Sequence, residues 1–340
     1  MENLSIDFGH SSVKGVSDNQ SIIYPSIISS DVKDIDITEF TDYKPLDFLK
    51  VKFEGQEYFI GELARKQSDL CIQNVNHDDM TTHETKTLIM TAAAYLCNSN
   101  RINIATDLPV SHYANLKDEM REMLISKNHM ITVEIYDFIE SRWKTKSFYI
   151  NNVEIQAQGF YSLMDILLNG EGKLKVNKKD IASALNVIID IGYYSTDILI
   201  LNQLEQITRV PTVAIPGMSS AYKMLQKILY DEFGLRKELH DIEPYTRDKQ
   251  VRIGGKAYSI KEALNHVYSR ITGKIITEIN NLIDFWPEVD NWFLTGGGSI
   301  PLYEDFKTHY QNVTLIDNPQ MANSLGGLKW IRRKLNEKQS

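Results

Sequence analysis

The 340-residue chain has little cysteine and no excess of basic charge. Its two cysteines, Cys71 and Cys97, lack CxxC spacing, so the sequence indicates neither a disulfide framework nor a zinc ribbon. A reducing cytoplasm is the compartment that such cysteine usage favours. The 37 basic residues are outnumbered by 45 acidic ones, which leaves a net charge of −8. This balance, without a long basic tract, argues against a chain that wraps nucleic acid.

Long apolar runs are also missing from the sequence. The longest helical apolar stretch, residues 88–97, is far shorter than the ~20 residues that cross a bilayer. The first residues show neither the basic region nor the apolar region of a signal peptide, so we expect a soluble protein without membrane attachment. With 42% hydrophobic and 24% charged residues the composition is that of a globular protein, and the length suggests two domains.

Periodicity and capping residues predict several helix boundaries. Residues 81–84, Thr-Thr-His-Glu, match a capping box and predict a helix that runs to about Cys97. A strand over 101–106 should end at Asp107-Leu108-Pro109, after which Ser111 is a candidate cap for the next helix. A last helix is predicted over 325–335.

One short pattern occurs twice in the chain. Residues 5–12 and residues 188–195 both read as the end of a strand, then Asp, any residue, Gly, two residues and Ser. Each copy is followed by a second strand-like segment, which indicates two related strand–turn–strand units, one in each domain.

These units suit the binding of phosphate with magnesium. A glycine after a strand lets backbone N–H groups approach phosphate oxygens closely. Asp7 and Asp190 would hold Mg²⁺ through its waters, and Lys14 would meet the β- and γ-phosphates. Either copy alone is more often a simple turn, because Asp-x-Gly is a common turn sequence. Two copies in register, each after an apolar strand, favour the phosphate site.

A glycine loop follows the short strand predicted at residues 292–294. Its sequence, Thr295-Gly296-Gly297-Gly298-Ser299, is able to lie flat against a purine or its ribose. A glycine triplet alone is more often a linker, but linkers seldom follow Trp-Phe-Leu directly.

Taken in order, these motifs resemble the actin, heat-shock-chaperone and sugar-kinase ATPase superfamily. The resemblance spans nearly the whole chain and implies an α/β fold of two ribonuclease-H-like domains with a nucleotide cleft between them. It implies ATP or GTP with Mg²⁺ as ligands, and Asp7 and Asp190 as catalytic and metal-holding residues. The residues that it assigns to nucleotide binding are Gly9, His10, Ser11, Ser12, Lys14, Gly192, Tyr193, Tyr194, Ser195, Gly296, Gly297, Gly298 and Ser299.

The resemblance also gives domain bounds. It implies a first domain over 1–170 with an insertion at about 25–80, a second domain over 171–322 with an insertion at about 218–285, and a C-terminal helix over 323–340 packing back on the first domain. The polar stretch 170–179 is the candidate boundary, and residues 323–327, ahead of the last helix, resemble the second connecting segment.

Within the superfamily, residues 58–64 and 104–110 are most similar to bacterial plasmid-segregation actins of the ParM type. This implies a chain that forms filaments with itself and reaches plasmid DNA through an adaptor protein, without binding DNA directly. Two alternatives remain open: a non-polymerising or membrane-linked scaffold, and a small-molecule kinase of the same superfamily.

The residue that orients the attacking water is expected in the first connecting segment. The family places a Gln or Glu there, usually just before a Gly, which favours Gln158, with Gln156 and Glu154 as alternatives. Two departures from the family bear on hydrolysis. His10 stands where a small hydroxyl residue is common, and Tyr193 and Tyr194 stand where small residues are usual, so their rings either narrow the γ-phosphate pocket or point outward.

Overall fold

The computed structural model describes residues 1–35, 43–73, 80–208, 215–283 and 286–338. Its strands in the first half of the chain are β1 (Glu2–Phe8), β2 (Ser12–Val16), β3 (Ser21–Pro25), β4 (Ile27–Ser29), β5 (Leu49–Phe53), β6 (Gln56–Ile60), β7 (Ile72–Gln73), β8 (Arg101–Leu108), β9 (Ile131–Asp137) and β10 (Arg142–Ala157). The helices there are α1 (Glu62–Gln67), α2 (His83–Leu96), α3 (Val110–Leu124) and α4 (Phe160–Leu167).

The second half has the same mixed composition. Its strands are β11 (Leu185–Ile191), β12 (Ser195–Asn202), β13 (Glu205–Gln206), β14 (Ile215–Pro216), β15 (Gln250–Ile253), β16 (Lys256–Ser259), β17 (Asn291–Thr295) and β18 (Val313–Leu315). Its helices are α5 (Lys179–Ala182), α6 (Met218–Phe233), α7 (Glu243–Asp248), α8 (Lys261–Leu282), α9 (Ser299–Lys307) and α10 (Ala322–Glu337).

The chain divides into two compact units. Unit 1 contains Met1–Lys179 and Met321–Ser340, and unit 2 contains Asp180–Gln320. Parts of the insertion expected at about 25–80, residues 36–42 and 74–79, lie outside the described residues.

Each unit is built on a sheet whose centre has the same arrangement. In unit 1 the strand order is β3-β2-β1-β8-β10-β9-β5-β6-β4-β7, and in unit 2 it is β13-β12-β11-β17-β18, with β14 also pairing with β12. β1 pairs antiparallel with β2 and parallel with β8, just as β11 pairs antiparallel with β12 and parallel with β17. The duplicated sequence pattern therefore corresponds to a duplicated strand–turn–strand–parallel-strand core.

Both sheets are covered by helices that bury apolar side chains. In unit 1, Leu4 and Ile6 of β1 pack in one core with Leu88 and Ile89 of α2. Helix α2 is buried over most of its length because its interior is Ala, Leu, Ile, Met and Thr, and the hydroxyl of Thr87 donates to the carbonyl of His83. The core of unit 2 is formed chiefly by β11, α6 and α8. Along the described parts of the chain, every helix is too short or too polar to cross a bilayer.

Helix α10 lies against β1, β8 and α4 in unit 1. Gly326 is pressed against the backbone of α4, and a side chain there would overlap the carbonyl of Tyr161. The ring of Trp330 packs edge-on against Phe160 at 4.9 Å, and Lys329 pairs with Asp165 at 2.7 Å. The C-terminal helix therefore owes its close packing to a residue without a side chain.

Two predicted helix starts are wrong. Helix α2 is capped by Thr82, whose Oγ1 accepts from the N–H of Thr85, because the Thr81 hydroxyl bonds Glu119 instead. Helix α3 begins directly after Pro109, whose fixed φ and extended ψ form the N-cap. The hydroxyl of Ser111 bonds the ring of His112 and does not cap the helix.

Two segments are more regular than expected. Residues 107–108 belong to β8, which continues because Gln156 and Ala157 of β10 pair with them. Residues 323–327 lie inside helix α10, since the chain becomes helical at Ala322.

The close contact at Gly326 predicts a large effect of a small substitution. Gly326→Ala should lower the Tm by several degrees, because the added methyl group meets backbone that cannot rotate away, at a cost of about 2 kcal/mol or more. Gly273→Ala is the matched control: Gly273 is an exposed residue of α8 with no atom within 4 Å of an added Cβ. Thermal melting should show an unchanged or raised Tm for the control. Equal Tm values for both variants would contradict the proposed packing constraint.

Candidate functional site: two Asp-Gly hairpins

The turn between β1 and β2 is closed by one short backbone hydrogen bond. The N–H of Gly9 donates to the carbonyl of Ser12 at 3.1 Å, and a Cβ on Gly9 would lie 3.0 Å from that carbonyl. The turn is also held from outside, because Ser26 donates its N–H to the Ser11 carbonyl and its Oγ to the Gly9 carbonyl. His10 and Ser12 are half-buried and Ser11 is exposed. The turn is thus fixed by its own backbone and by Ser26, and one of its side chains is exposed while two are half-buried.

Asp7 and Lys14 form an ion pair directly beneath this turn. They are register partners on β1 and β2, and Lys14 Nζ lies 2.8 Å from Asp7 Oδ2. The Asp7 side chain is 3% exposed and that of Lys14 is 15% exposed. A mostly buried ammonium and carboxylate are therefore held together next to a turn that is poor in side-chain bulk.

Parallel pairing brings further polar side chains to the same edge of the sheet. Ile6 pairs with Thr106 and Thr106 with Ile155, so Asp7, Asp107 and Gln156 follow at one level of neighbouring strands. Asp107 is 1% exposed. The sequence predicted this residue only as the end of a strand. The feature that could have indicated its place at this edge was a carboxylate within an apolar run.

The three candidates for orienting water differ in their surroundings. Glu154 and Gln156 alternate with the buried residues of β10 and so lie on one face, whereas Gln158 lies in the turn that follows the strand. The Glu154 carboxylate accepts from Asn152 and lies 3.4 Å from Lys338, which makes it part of a surface network. Gln158 follows the strand, at the carboxyl edge, and its N–H donates to the Leu108 carbonyl at 2.8 Å.

A tyrosine beneath this segment stays neutral. Burial, together with the carboxylates of Asp107 and Glu154, raises the pKa of Tyr161 well above its usual value. Its hydroxyl donates to the carbonyl of Glu154 at 3.1 Å. Tyr161 therefore acts as a hydrogen-bond donor that ties α4 to β10.

The turn between β11 and β12 in unit 2 repeats the first turn. The N–H of Gly192 donates to the Ser195 carbonyl at 2.9 Å, and a Cβ on Gly192 would again lie 3.0 Å from that carbonyl. Asp190 is half-buried at the end of β11, with Asp197 and Thr295 as its register partners on the flanking strands. Asp190 and Asp7 thus occupy matching places in the two units.

The second turn is fastened to the start of α6. The carbonyls of Gly192, Tyr193 and Tyr194 accept from the N–H groups of Met218, Ser219 and Gly217, respectively. A side chain at Gly217 would meet the Gly192 carbonyl at 2.6 Å, so the approach depends on glycine. The amides at this helix terminus bind the turn and are not directed at a ligand.

The tyrosine rings of the second turn pack on each other and on α6. Tyr193 contacts Tyr194 with ring centroids 4.6 Å apart, and it contacts Tyr222 at 5.7 Å. Burial raises the pKa of the Tyr194 hydroxyl. The ring of Tyr193 is therefore anchored to the core of unit 2.

The glycine loop after β17 is pressed against the second hairpin. Gly296 has φ of +81°, and a Cβ there would overlap Asp190 Oδ1 and lie 2.5 Å from the Ile191 carbonyl. Gly298 donates its N–H to that same carbonyl. Only Gly297 of the three glycines is exposed, and Ser299 is buried with its Oγ donating to the Gly296 carbonyl. The backbone of the glycine loop is therefore packed directly against the Asp190 side chain.

Carboxylates are sparse at both turns. Within the described ranges there is no group of three or more His, Cys, Asp or Glu side chains arranged to hold a metal ion. A site based on Asp7 or Asp190 fits an ion such as Mg²⁺, which keeps most of its waters and takes few protein ligands.

Comparisons with known proteins agree with this architecture. The model for the N-terminal domain of actin-like proteins matches residues 5–160, and that for the C-terminal domain of the archaeal MreB-like actin homologue matches residues 188–308. No curated protein sequence matches the chain.

Solved structures match over almost the full length. A ParM protein from a 15-stranded filament of Clostridium botulinum is 25% identical, with 98% of this chain and 99% of that chain covered and a TM-score of 0.76. The archaeal actin homologue Ta0583 in complex with ADP is 17% identical, with 99% and 100% covered and a TM-score of 0.76. Bacillus thuringiensis ParM with ATP is 16% identical, with both chains fully covered and a TM-score of 0.72.

The matched models cover the Asp-Gly hairpin of each unit, and the matched structures cover the whole chain. The protein therefore belongs to the actin-like superfamily, with the actin-like fold that ParM proteins and archaeal actin homologues share.

Proposed function

We propose that the protein is a filament-forming nucleoside triphosphatase that binds ATP or GTP with Mg²⁺. The observation that carries this proposal is the repetition of one arrangement. In each unit Asp is the second-to-last residue of a central strand, and the strand is followed by a Gly whose N–H bonds the carbonyl three residues on. Each hairpin would act on phosphate oxygens of a nucleotide. Structures of relatives with ADP and with ATP support a nucleotide as the ligand.

Lys14 and the turn backbone supply the phosphate contacts in this proposal. Lys14 is already fixed by Asp7 and has three N–H donors, so it is able to bond a phosphate oxygen while it keeps its ion pair. The small turn at Gly9 leaves backbone room for phosphate oxygens. Gly297, the exposed glycine of the loop after β17, is the position from which backbone would face the nucleoside.

Asp7 and Asp190 are the residues that would hold the magnesium ion through its waters. Each is at the end of a central strand, and each unit contributes one carboxylate. The ion when bound supplies positive charge that neutralises phosphate oxygens. The protein's part is to keep both carboxylates oriented, Asp7 by Lys14 and Asp190 by the Gly296 backbone packed against it.

Gln158 is the side chain that would orient the attacking water in line with the γ-phosphate. Its amide has both a donor and an acceptor, as a water-positioning group requires. Its place after β10 puts it at the same sheet edge as Asp7, whereas the Glu154 carboxylate is engaged with Asn152 and Lys338. Hydrolysis would then weaken contacts between subunits, so that nucleotide state controls filament stability.

The proposed function also includes self-assembly into filaments and segregation of plasmid DNA. A relative in a 15-stranded filament supports assembly. The net charge of −8 makes direct gripping of DNA unfavourable, so plasmid DNA would be reached through an adaptor protein in the cytoplasm.

Nucleotide binding should depend on both strand-end carboxylates. Asp7→Asn and Asp190→Asn, which keep the shape but lose the charge, should each weaken Mg²⁺–nucleotide binding by about 10-fold or more. Asp231→Ala, an exposed position on α6, is the control and should bind as the wild type does. Titration with a fluorescent ATP or GTP analogue at fixed Mg²⁺ measures the Kd values. Unchanged affinity in both Asn variants would show that the hairpins are only turns.

Hydrolysis rates should distinguish Gln158 from Gln156, the neighbouring candidate on β10. Gln158→Ala should bind nucleotide normally and release phosphate ~10² times more slowly, because the water loses its orienting partner. Gln156→Ala is the matched control and should retain most activity. The assignment is wrong if Gln158→Ala hydrolyses at the wild-type rate, or if the larger loss occurs in Gln156→Ala.

Polymerisation should require nucleotide and magnesium. Light scattering should rise above a critical protein concentration when ATP or GTP is added with Mg²⁺, and negative-stain microscopy should show filaments. A slowly hydrolysed analogue should prolong the filaments because subunit release depends on hydrolysis. Absence of filaments over a wide concentration range, with nucleotide bound, would reject the filament proposal and leave a non-polymerising nucleoside triphosphatase.

A further inference from the structure

Asn323, near the start of α10, contacts the start of another helix. Its side chain is buried, and its Oδ1 accepts from the N–H of Gly159 at 3.3 Å, the N–H of Ser162 at 3.2 Å and the Oγ of Ser162 at 2.8 Å. Backbone N–H groups only donate, so the atom that faces them is the amide oxygen. One side chain therefore gathers donors from the first turn of α4.

This contact replaces a cap that α4 does not provide for itself. The residue at the N-cap is Gly159, which has no side chain to accept from the free N–H groups of the first turn. Asn323 supplies the acceptor from a place more than 160 positions later in the sequence. Asn323 therefore acts as the N-cap acceptor of helix α4 and fixes the position of its first turn.

Gln158 lies immediately before this fixed point. Its own N–H is bonded to the Leu108 carbonyl, and the next N–H, that of Gly159, is bonded to Asn323. The backbone on both sides of the Gln158 side chain is therefore held, which limits the directions that the side chain takes.

The segment that leads to Asn323, residues 319–323, contacts the glycine loop at its other end. The Pro319 carbonyl accepts from the Gly296 N–H at 3.0 Å and from the Thr295 Oγ1 at 3.2 Å. Asn323 follows Pro319 by four residues, so the backbone of residues 319–323 connects the glycine loop to the cap of α4.

We infer that Asn323 is a positioning residue that orients Gln158, and that residues 319–323 make this orientation depend on occupancy of the glycine loop. The inference rests on the proposed nucleotide hydrolysis. A ligand held by the loop would restrain Pro319, hence Asn323, hence the start of α4, so that Gln158 reaches its working orientation when nucleotide is bound.

The test is a double-mutant cycle with Gln158. Asn323→Ala should lower kcat about 10-fold with nucleotide Kd unchanged within about 3-fold. Asn323→Asp keeps acceptor oxygens and places a negative charge at a helix N-terminus, so it should restore kcat to within about 3-fold of wild type. In a Gln158→Ala background, Asn323→Ala should have almost no further effect on kcat, because the group that it positions is gone. Asn336→Ala, which removes another α10 asparagine that bonds a backbone carbonyl, is the control and should leave kcat unchanged.

Hydrogen exchange tests the dependence on occupancy. Addition of nucleotide with Mg²⁺ should slow exchange of the Gly159 and Ser162 amides in the wild type, and this protection should be lost in Asn323→Ala.

The inference is overturned if wild-type protein hydrolyses nucleotide but Asn323→Ala lowers kcat equally with and without Gln158, or if nucleotide leaves exchange of the two amides unchanged. If wild-type protein binds no nucleotide in the same titrations, the proposed function itself fails, and the inference fails with it. The binding measurement thus separates the two failures.

Discussion

A single backbone hydrogen bond in each unit sets the geometry on which the candidate site depends. The bond from Gly9 to Ser12, like that from Gly192 to Ser195, reverses the chain within four residues. The reversal leaves the Asp near the strand end beside a turn that begins with Gly; the first turn carries His10 and two serines, and the second carries two tyrosines. Everything else at the site is arranged around these turns: Lys14 pairs with one carboxylate, and the Gly296 backbone packs on the other. The same local arrangement therefore recurs in both units, as expected for a duplicated core.

Several glycines allow the main chains of neighbouring elements to approach each other closely. Gly217, Gly298 and Gly326 each occupy places where a Cβ would come closer to main-chain atoms than real contacts allow. In unit 2 such approach fastens the second turn to α6 and the glycine loop to β11. In unit 1 it lets α10 settle on α4. The glycines predicted to bind a ligand thus have packing roles, and of the three glycines in the loop after β17 only Gly297 is exposed to solvent.

The local features of the fold follow from the sequence, and the long-range ones do not. The hairpin β1–β2, the strand β17 and helices such as α2 were predictable because alternation and helical periodicity are local signals. The cap of α2 is Thr82 and not Thr81 because Thr81 has a competing partner, Glu119, on another helix. Asp107 and Asn323 were missed for the same reason: their importance comes from strand register and from a helix more than 160 residues away. No pattern along the chain reports such neighbours.

The path of the chain through the two units has a consequence for biosynthesis. Unit 2 is continuous in sequence, whereas unit 1 is interrupted by it and completed by α10. During synthesis the sheet of unit 1 therefore emerges with the α10 side of β1 and α4 uncovered, and with the first turn of α4 still lacking Asn323. Unit 2 is made in full before that surface is covered. On the ribosome, the unit that appears first is thus finished only after unit 2 has been made, because its packing waits for α10.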